Sequence, residues 1–192
     1  MKTTFCRKTG RKLALFIIPK TTFIYIIVGF AGKKCEKLKS VTFKSEDSYI
    51  QMSKFDFRSA VNITISVKTE SSSGLVFYTG SEPHLAVELF RGRVKISFYT
   101  GDDMASTMYS YIYSFVTIDD DEIHSIQLLV NRRNITMIID GGSPQSVINQ
   151  GNNDFLNHDE DVYLGGMPRD VGKSANDKFH TRNLESFKGR FL

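Results

Sequence analysis

The chain has 192 residues, of which 41% are hydrophobic, 24% charged and 12% aromatic. This length allows one domain of ~100–200 residues with a short attachment, and it excludes a large multidomain enzyme. Two cysteines, Cys6 and Cys35, are too few for a fold built on disulfides, and no Cys/His spacing indicates a structural zinc site. The composition therefore predicts a single globular domain.

The formal net charge of +4 is distributed unevenly along the chain. Residues 1–40 carry ten Lys and Arg against one acidic residue, whereas residues 41–192 carry fifteen against twenty. Within residues 41–165 the balance is nine basic against seventeen acidic residues. Because nucleic-acid-binding domains normally present a basic surface, this distribution argues against nucleic acid as a partner.

A basic and apolar segment, residues 1–31, precedes the acidic part of the chain. Its apolar stretch, residues 13–31, is interrupted by Pro19 and Lys20. A signal peptide combines a basic start with an apolar run of ~7–15 residues, and lysine at a bilayer centre costs ~2.5–3.5 kcal/mol. A signal peptide, a membrane anchor and an artefact of gene prediction all stay open here. The membrane is an expected partner only if the segment is an anchor.

From residue 41 onward, short alternations of apolar and polar residues predict β-strands, with no apolar pattern of helical length. Residues 62–68 and 75–78, separated by a Ser/Gly-rich turn, predict a first hairpin. Residues 85–90 and 93–99 flank Arg91-Gly92 and predict a second, because glycine takes positive φ at little cost.

A third strand pair is predicted over residues 123–130 and 135–139, and the Asp-Gly-Gly turn at 140–142 leads to a further strand at 146–148. Eight to ten strands with regular turns are typical of an antiparallel sandwich or jelly roll, in which two sheets bury alternate residues against each other.

Four groups of motifs resemble those of the laminin G domain family. They are VTF at 41–43 with DSYI at 47–50, ISVKT at 65–69 with GLVFYTG at 74–80, DDDEIH at 119–124, and VYLGGMP at 162–168. Within that family, VELFRGRV at 87–94 and DGGSP at 140–144 most resemble the laminin G module of Slit proteins. The resemblance covers about residues 35–189. It implies an all-β, concanavalin-like jelly-roll sandwich in a secreted, extracellular protein whose process is axon guidance or cell adhesion.

The resemblance also sets the expected domain boundaries. GFAGKKC at 29–35 is similar to the end of an EGF-like module, so residues 29–40 are interpreted as a remnant in which the disulfide partner of Cys35 is absent. The family's closing Phe-x-Gly-Cys reads Phe-Lys-Gly-Arg at 187–190. The laminin G-like domain at 41–192 is therefore expected to be truncated, with an open edge beside residues 41–43 unless residues 179–187 close it.

No catalytic constellation is present in the sequence, and His124 is interpreted as a structural residue. The resemblance implies an anionic matrix glycan such as heparan sulfate, or a cell-surface receptor such as dystroglycan, as partner. Basic residues at two hairpins are the candidate glycan ligands: Arg91, Arg93, Lys95, Arg132 and Arg133. Of these, Arg93 and Lys95 are expected to share one face of their strand, because side chains alternate with a period of two. The alternative is that these charges discourage edge-to-edge aggregation of the sheets.

Calcium is the one candidate cofactor, since many laminin G modules bind it at the rim of the sandwich. Glu82 and Asp154 are the candidate ligands, although Pro83 stands at the usual aspartate position. If the chain is exported, Asn62 and Asn134 lie in sequons for N-glycosylation.

Two rival functions stay open beside a non-enzymatic glycan or receptor binder. One is a structural spacer between EGF repeats with no ligand of its own. The other is a jelly-roll carbohydrate-active enzyme, which needs two carboxylates ~5–9 Å apart. Glu88 and Asp47 are the carboxylates considered for that role.

Overall fold

In the computed structural model the described residues are 14–17, 24–31, 36–37, 40–45, 47–52, 57, 60–80, 83–101, 110–154, 156, 160–179, 181 and 185–192. They form fifteen strands and one helix. In chain order these are β1 (Ala14–Ile17), β2 (Ile24–Ala31), β3 (Glu36–Lys37), β4 (Val41–Phe43), β5 (Ile50–Met52), β6 (Val61–Lys68), β7 (Ser73–Gly80), β8 (His84–Phe90), β9 (Arg93–Tyr99), β10 (Ser110–Thr117), β11 (Ile123–Asn131), β12 (Asn134–Ile139), β13 (Gln145–Ile148), β14 (Val162–Leu164), α1 (Arg169–Phe179) and β15 (Gly189–Phe191).

The strands are arranged in two sheets. One has nine strands, with β1-β2-β6-β11-β12-β13 as its main order, β3 beside β2, and β15 between β4 and β6. The other has six strands in the order β10-β9-β8-β7-β14-β5. Apart from the parallel contact between β2 and β6, the paired strands are antiparallel. The predicted all-β jelly-roll sandwich is confirmed.

The core lies between the two sheets because alternate residues of each strand point inward. β6 shows this most clearly: Val61, Ile63, Ile65 and Val67 are buried, whereas the later residues between them are half-buried. They pack in one hydrophobic cluster with inward residues of β8 and β9, including Val87, Leu89, Val94 and Ile96.

The predicted first hairpin is wrong. β6 pairs with β11 in the nine-stranded sheet, and β7 pairs with β8 and β14 in the six-stranded sheet. The Thr69–Ser72 segment therefore carries the chain from one sheet to the other. Period-two alternation shows that a strand has a buried face, but it does not show which strand lies beside it. The second hairpin, β8–β9, and the third, β11–β12, are confirmed.

The edge that was expected to lie open beside Val41–Phe43 is occupied. β15 pairs antiparallel with β4 along its length and also with the end of β6. Three phenylalanines hold this corner together, with the Phe191 ring centroid 5.0 Å from that of Phe43 and 5.1 Å from that of Phe187. The expectation of an unpaired edge is therefore wrong, and the closing strand is 189–191 rather than 179–187.

The glycine that opens β7 is required by a close approach of the chain. Gly74 has φ +144°, and a Cβ there would lie 2.8 Å from the backbone Cα of Phe187. The next residue confirms the contact, since the Leu75 N–H donates to the Glu185 carbonyl. This approach explains why the GLVFYTG motif begins with glycine.

Helix α1 is an element that the sequence did not predict. It follows Pro168 directly, and it packs against the outer face of the six-stranded sheet through Val171 and Ala175, which contact a cluster containing Tyr78 and Ala86. Only three of its eleven residues, Val171, Ala175 and Phe179, are apolar, and this is too weak a 3.6-residue pattern for detection. Within the described part of the chain, no helix is long and apolar enough to cross a membrane.

Candidate functional site

The β8–β9 hairpin holds the first group of candidate basic residues on a tight turn. Arg91 and Gly92 both have positive φ, +54° and +76°, which is the type I′ conformation that matches strand twist. The turn is fixed by hydrogen bonds from the Gly92 N–H to the Ser72 carbonyl and from the Ile118 N–H to the Gly92 carbonyl. A Cβ at Gly92 would also meet the carboxylate of Asp119, so this position with φ +76° favours glycine.

Arg91 projects from this turn and is exposed. Its guanidinium carbon lies 5.3 Å from the ring centroid of Phe90, within the range of a cation–π contact. No carboxylate of the described residues pairs with Arg91. A left-handed backbone costs ~1–2 kcal/mol for a residue with a Cβ, so this arginine occupies a position that glycine would fill more cheaply.

Arg93 lies beside Arg91 but part of its guanidinium is engaged. Its Nη1 donates to the backbone carbonyls of Ser114 and Phe115, at 2.7 Å each. These carbonyls belong to a bulge in β10, where the pairing with β9 shifts between Tyr113 and Thr117. Arg93 thus braces the bulge while the residue itself stays exposed.

The expectation that Lys95 shares an exposed basic face with Arg93 is wrong. The Lys95 side chain is 7% exposed, and its Nζ lies 3.0 Å from Oε2 of Glu88, whose side chain is 1% exposed. The strand periodicity places Arg93 and Lys95 on one face of β9, but that face is buried at Lys95. A buried and neutralised ammonium does not contribute to a surface basic patch.

Aromatic side chains that sequence reasoning missed continue the surface from Arg91. The Tyr113 ring centroid lies 6.1 Å from that of Phe90 and 5.8 Å from that of Tyr111. All three residues lie on the outer face, since Tyr113 is opposite Lys95, and Tyr111 is opposite Ser97. The alternation of tyrosines at 111 and 113 was the available sequence indication. We name Phe90, Tyr113 and Tyr111 the aromatic row.

The second basic hairpin, β11–β12, lies at the opposite end of the sandwich. Arg132 is exposed at its tip with φ +54°. Arg133 instead pairs with Asp154, with 3.4 Å between Nε and Oδ1, and donates to the Gly151 carbonyl at 3.4 Å. The structure therefore pairs a candidate glycan ligand with a candidate calcium ligand.

This pairing weakens the calcium assignment, because an arginine occupies the carboxylate of Asp154. Glu82 lies outside the described residues. Among the residues whose side chains are described, no group of three or more His, Cys, Asp or Glu side chains could hold a metal ion. Cys35 also lies outside the described residues, so the EGF-like remnant and its missing disulfide stay predictions.

His124 joins two loops at the same end as Arg91, as its structural interpretation requires. Its Nδ1 lies 2.7 Å from Oδ2 of Asp140 and its Nε2 lies 2.9 Å from Oδ1 of Asp120. Burial opposes the charge, but the hydrogen bonds and negative charges of Asp140 and Asp120 outweigh it and raise the pKa of His124 above its usual value. The hydrogen bond from His124 likewise lowers the pKa of Asp120.

The two sequons differ in accessibility. Asn62 is 5% exposed, and its carbonyl oxygen accepts a hydrogen bond of 3.3 Å from Gln127, so the expectation of a glycan at this site is wrong for the folded chain. Asn134 is half-buried where β12 leaves its turn. Glycosylation at Asn134 stays a prediction.

The two carboxylates considered for catalysis do not form a pair. Glu88 lies on β8 and is bound to Lys95. Asp47 precedes β5, two intervening strands away, and its Oδ1 lies 3.2 Å from Nε of Arg169. With strands spaced ~4.8 Å apart, this separation of ~14 Å exceeds what a glycosidase pair uses.

Known proteins similar to this chain share its fold. The family model described as Laminin G domain matches residues 67–190. Laminin subunit alpha-1 of Mus musculus is 26% identical over 129 residues, which are 65% of this chain and 4% of that protein. The chain thus spans a small part of this relative's length.

Solved structures extend the likeness. Mouse laminin alpha1 chain, domains LG4-5, has a TM-score of 0.63 at 21% identity over 79% of this chain and 40% of that chain. Ruminococcus gnavus IT-sialidase CBM40 bound to alpha2,3 sialyllactose has a TM-score of 0.56 at 14% identity over 81% of this chain and 89% of that chain. At these identities the likenesses show the fold alone.

Proposed function

This chain belongs to the laminin G domain family, and from that premise we propose that it is a non-enzymatic binding module of an extracellular protein whose ligand is an anionic matrix glycan such as heparan sulfate. Laminin G domains occur in extracellular proteins, which supports the location. One solved structure with a similar sandwich, IT-sialidase CBM40, is bound to alpha2,3 sialyllactose, and this supports a saccharide as the ligand of the present chain. A Slit-like parent protein, a role in guidance or adhesion, and a receptor such as dystroglycan rest on motif resemblance.

One observation carries the glycan proposal: Arg91 and Arg93 stand together at the β8–β9 turn, both exposed, and no carboxylate of the described residues pairs with either. The domain is otherwise acidic, with seventeen acidic against nine basic residues between 41 and 165. Long-range attraction of a polyanion is therefore weak, and binding depends on local contacts that salt screens beyond ~8 Å at physiological ionic strength.

Heparin chromatography of paired variants tests this proposal. Arg91→Ser should elute at clearly lower salt than the wild type, because it removes the unpaired guanidinium. Arg132→Ser is the matched control, since it removes an exposed arginine at a hairpin tip at the opposite end of the sandwich. It should elute close to the wild type.

Two outcomes contradict the assignment. A loss confined to Arg132→Ser would place the glycan at the β11–β12 hairpin. Failure of the wild type to bind heparin even at low salt would favour the spacer interpretation, in which the exposed arginines only keep sheet edges apart.

A further inference from the structure

The geometry points to a sugar-stacking site on the outer face of the six-stranded sheet, where the aromatic row contacts the ring of an anionic saccharide and Arg91 and Arg93 contact its carboxylate or sulfate. This inference rests on the proposed function and deepens it. A purely electrostatic site needs only the arginines, whereas this site also selects a pyranose ring through its apolar face.

The aromatic row is most exposed at Tyr111. Tyr111 is 54% exposed, whereas Tyr113 and Phe90 are half-buried. The rings of Tyr111 and Tyr113 meet at 73°, an edge-to-face contact that holds both side chains in place. A ligand on Tyr111 therefore meets a preorganised surface and pays little side-chain entropy.

The cations are placed at the other end of the row. Arg91 lies over Phe90, and Arg93 is opposite Phe90 on the neighbouring strand. Arg93 commits Nη1 to the β10 carbonyls, so its position is fixed. No hydrogen bond from its remaining N–H groups occurs within the described part of the chain, and these donors suit a carboxylate or sulfate.

The ion pair next to the row carries no net charge. The Glu88–Lys95 pair lies beside Tyr113, because Lys95 is opposite Tyr113 on β10 and opposite Glu88 on β8. Its charges neutralise each other at 3.0 Å. Among the described residues around the row, the net positive charge is thus concentrated on Arg91 and Arg93 at one end.

Isothermal titration calorimetry with a heparin tetrasaccharide tests the stacking contact. Tyr111→Ser should weaken binding by ~3–10-fold, the size expected for one aromatic contact. Tyr111→Phe keeps the ring and should bind within about twofold of the wild type. Because the chain contains no tryptophan, quenching of tyrosine fluorescence provides a second readout.

Tyr49→Ser is the matched control, since Tyr49 is also an exposed tyrosine in an edge-to-face contact, with Tyr163, but it precedes β5 at the opposite edge of the six-stranded sheet. It should leave the affinity unchanged. Equal affinities of Tyr111→Ser and Tyr49→Ser, with Arg91→Ser still impaired, would overturn stacking and leave the glycan proposal intact. Thermal unfolding curves are recorded for all variants. A loss of affinity is then assigned to a lost contact only where the variant is folded like the wild type. If Arg91→Ser and Tyr111→Ser each bind as tightly as the wild type, both proposals are overturned.

Discussion

At the scale of single residues, His124 shows how one side chain joins two separate loops. Its two ring nitrogens face carboxylates of the loop before β11 and of the turn after β12. Both contacts are ideal only when the imidazole is protonated and donates from both nitrogens. The Asp140 carboxylate also accepts from the Ser125 N–H at 2.7 Å, which fixes its position.

This arrangement predicts a pH-dependent stability. Because the pKa of His124 is raised in the folded state, its contribution is fully present below the unfolded value of about 6.5 and is lost as pH rises through the folded value. Urea unfolding should therefore show the free energy of unfolding decreasing from about pH 6 to pH 8. In His124→Gln this decrease should be smaller. An equal slope in both proteins would contradict the role assigned to His124.

The candidate site shows what residue-level sequence reasoning reaches and where it ends. Strand alternation placed Arg93 and Lys95 on one face correctly. It did not show that Lys95 is covered and paired with Glu88, because burial depends on segments far away in sequence. Arg91 could be predicted because the Arg-Gly dipeptide by itself indicates a tight turn. The contact between Phe90 and Tyr113 could not, because these residues lie on β8 and β10, which are separated by β9.

At the scale of elements, the outer edge of β10 is protected by a side chain from the other sheet. The Gln145 amide donates to the Tyr113 carbonyl at 2.6 Å, and its oxygen accepts from the Phe115 N–H at 3.2 Å. The amide thus acts as a neighbouring strand would, and it links β13 to β10. With the bulge at residues 113–117, it blunts an edge that carries the exposed Phe115.

Removal of this cap should promote association. Gln145→Ala leaves one carbonyl and one N–H of β10 unpaired, at a cost of ~0.5–1.5 kcal/mol per hydrogen bond in the free energy of unfolding. We expect concentration-dependent association in sedimentation velocity. Ser146→Ala, which removes only the exposed contact with Thr136, is the control and should stay like the wild type. A monodisperse Gln145→Ala protein would show that the bulge alone protects the edge.

The elements also separate what local pattern predicts from what it does not. Tight turns predicted the β8–β9 and β11–β12 hairpins, because glycine or a short polar loop fixes the partner strand. The Thr69–Ser72 loop looked like another hairpin, yet it crosses between sheets. Its course depends on the pairing of β6 with β11, which lies more than fifty residues away. Helix α1 was not predicted because the apolar face that packs against the sheet is small.

At the scale of the whole molecule, the two ends of the sandwich domain meet at one corner. β15 lies between β4 and β6, so residues 189–191 join residues 41–43 to the rest of the nine-stranded sheet. The fold class was predictable because it depends on many repeated strands, each of which contributes a pattern. The closure was not predictable, since a three-residue strand has almost no pattern of its own and the family's cysteine ending is absent.

This closure gives the last prediction, which concerns the stability of the entire domain. Phe191 is 4% exposed and packs against Phe43 and Phe187, so Phe191→Ala should lower the free energy of unfolding by ~3–5 kcal/mol. A domain has only ~5–15 kcal/mol in total, and a loss of this size lowers the melting temperature by roughly 10 °C.

Leu192→Ala is the control, because Leu192 is the next residue, is 37% exposed and keeps its backbone bond to Ser66. It should change the melting temperature by no more than about 2 °C, as surface substitutions do. If the two variants melt alike, β15 contributes little to the fold. The pairing of β6 with β11 would then be enough to stabilise that end of the sheet. The ring contacts of Phe43 would lie outside the part of the domain that unfolds cooperatively.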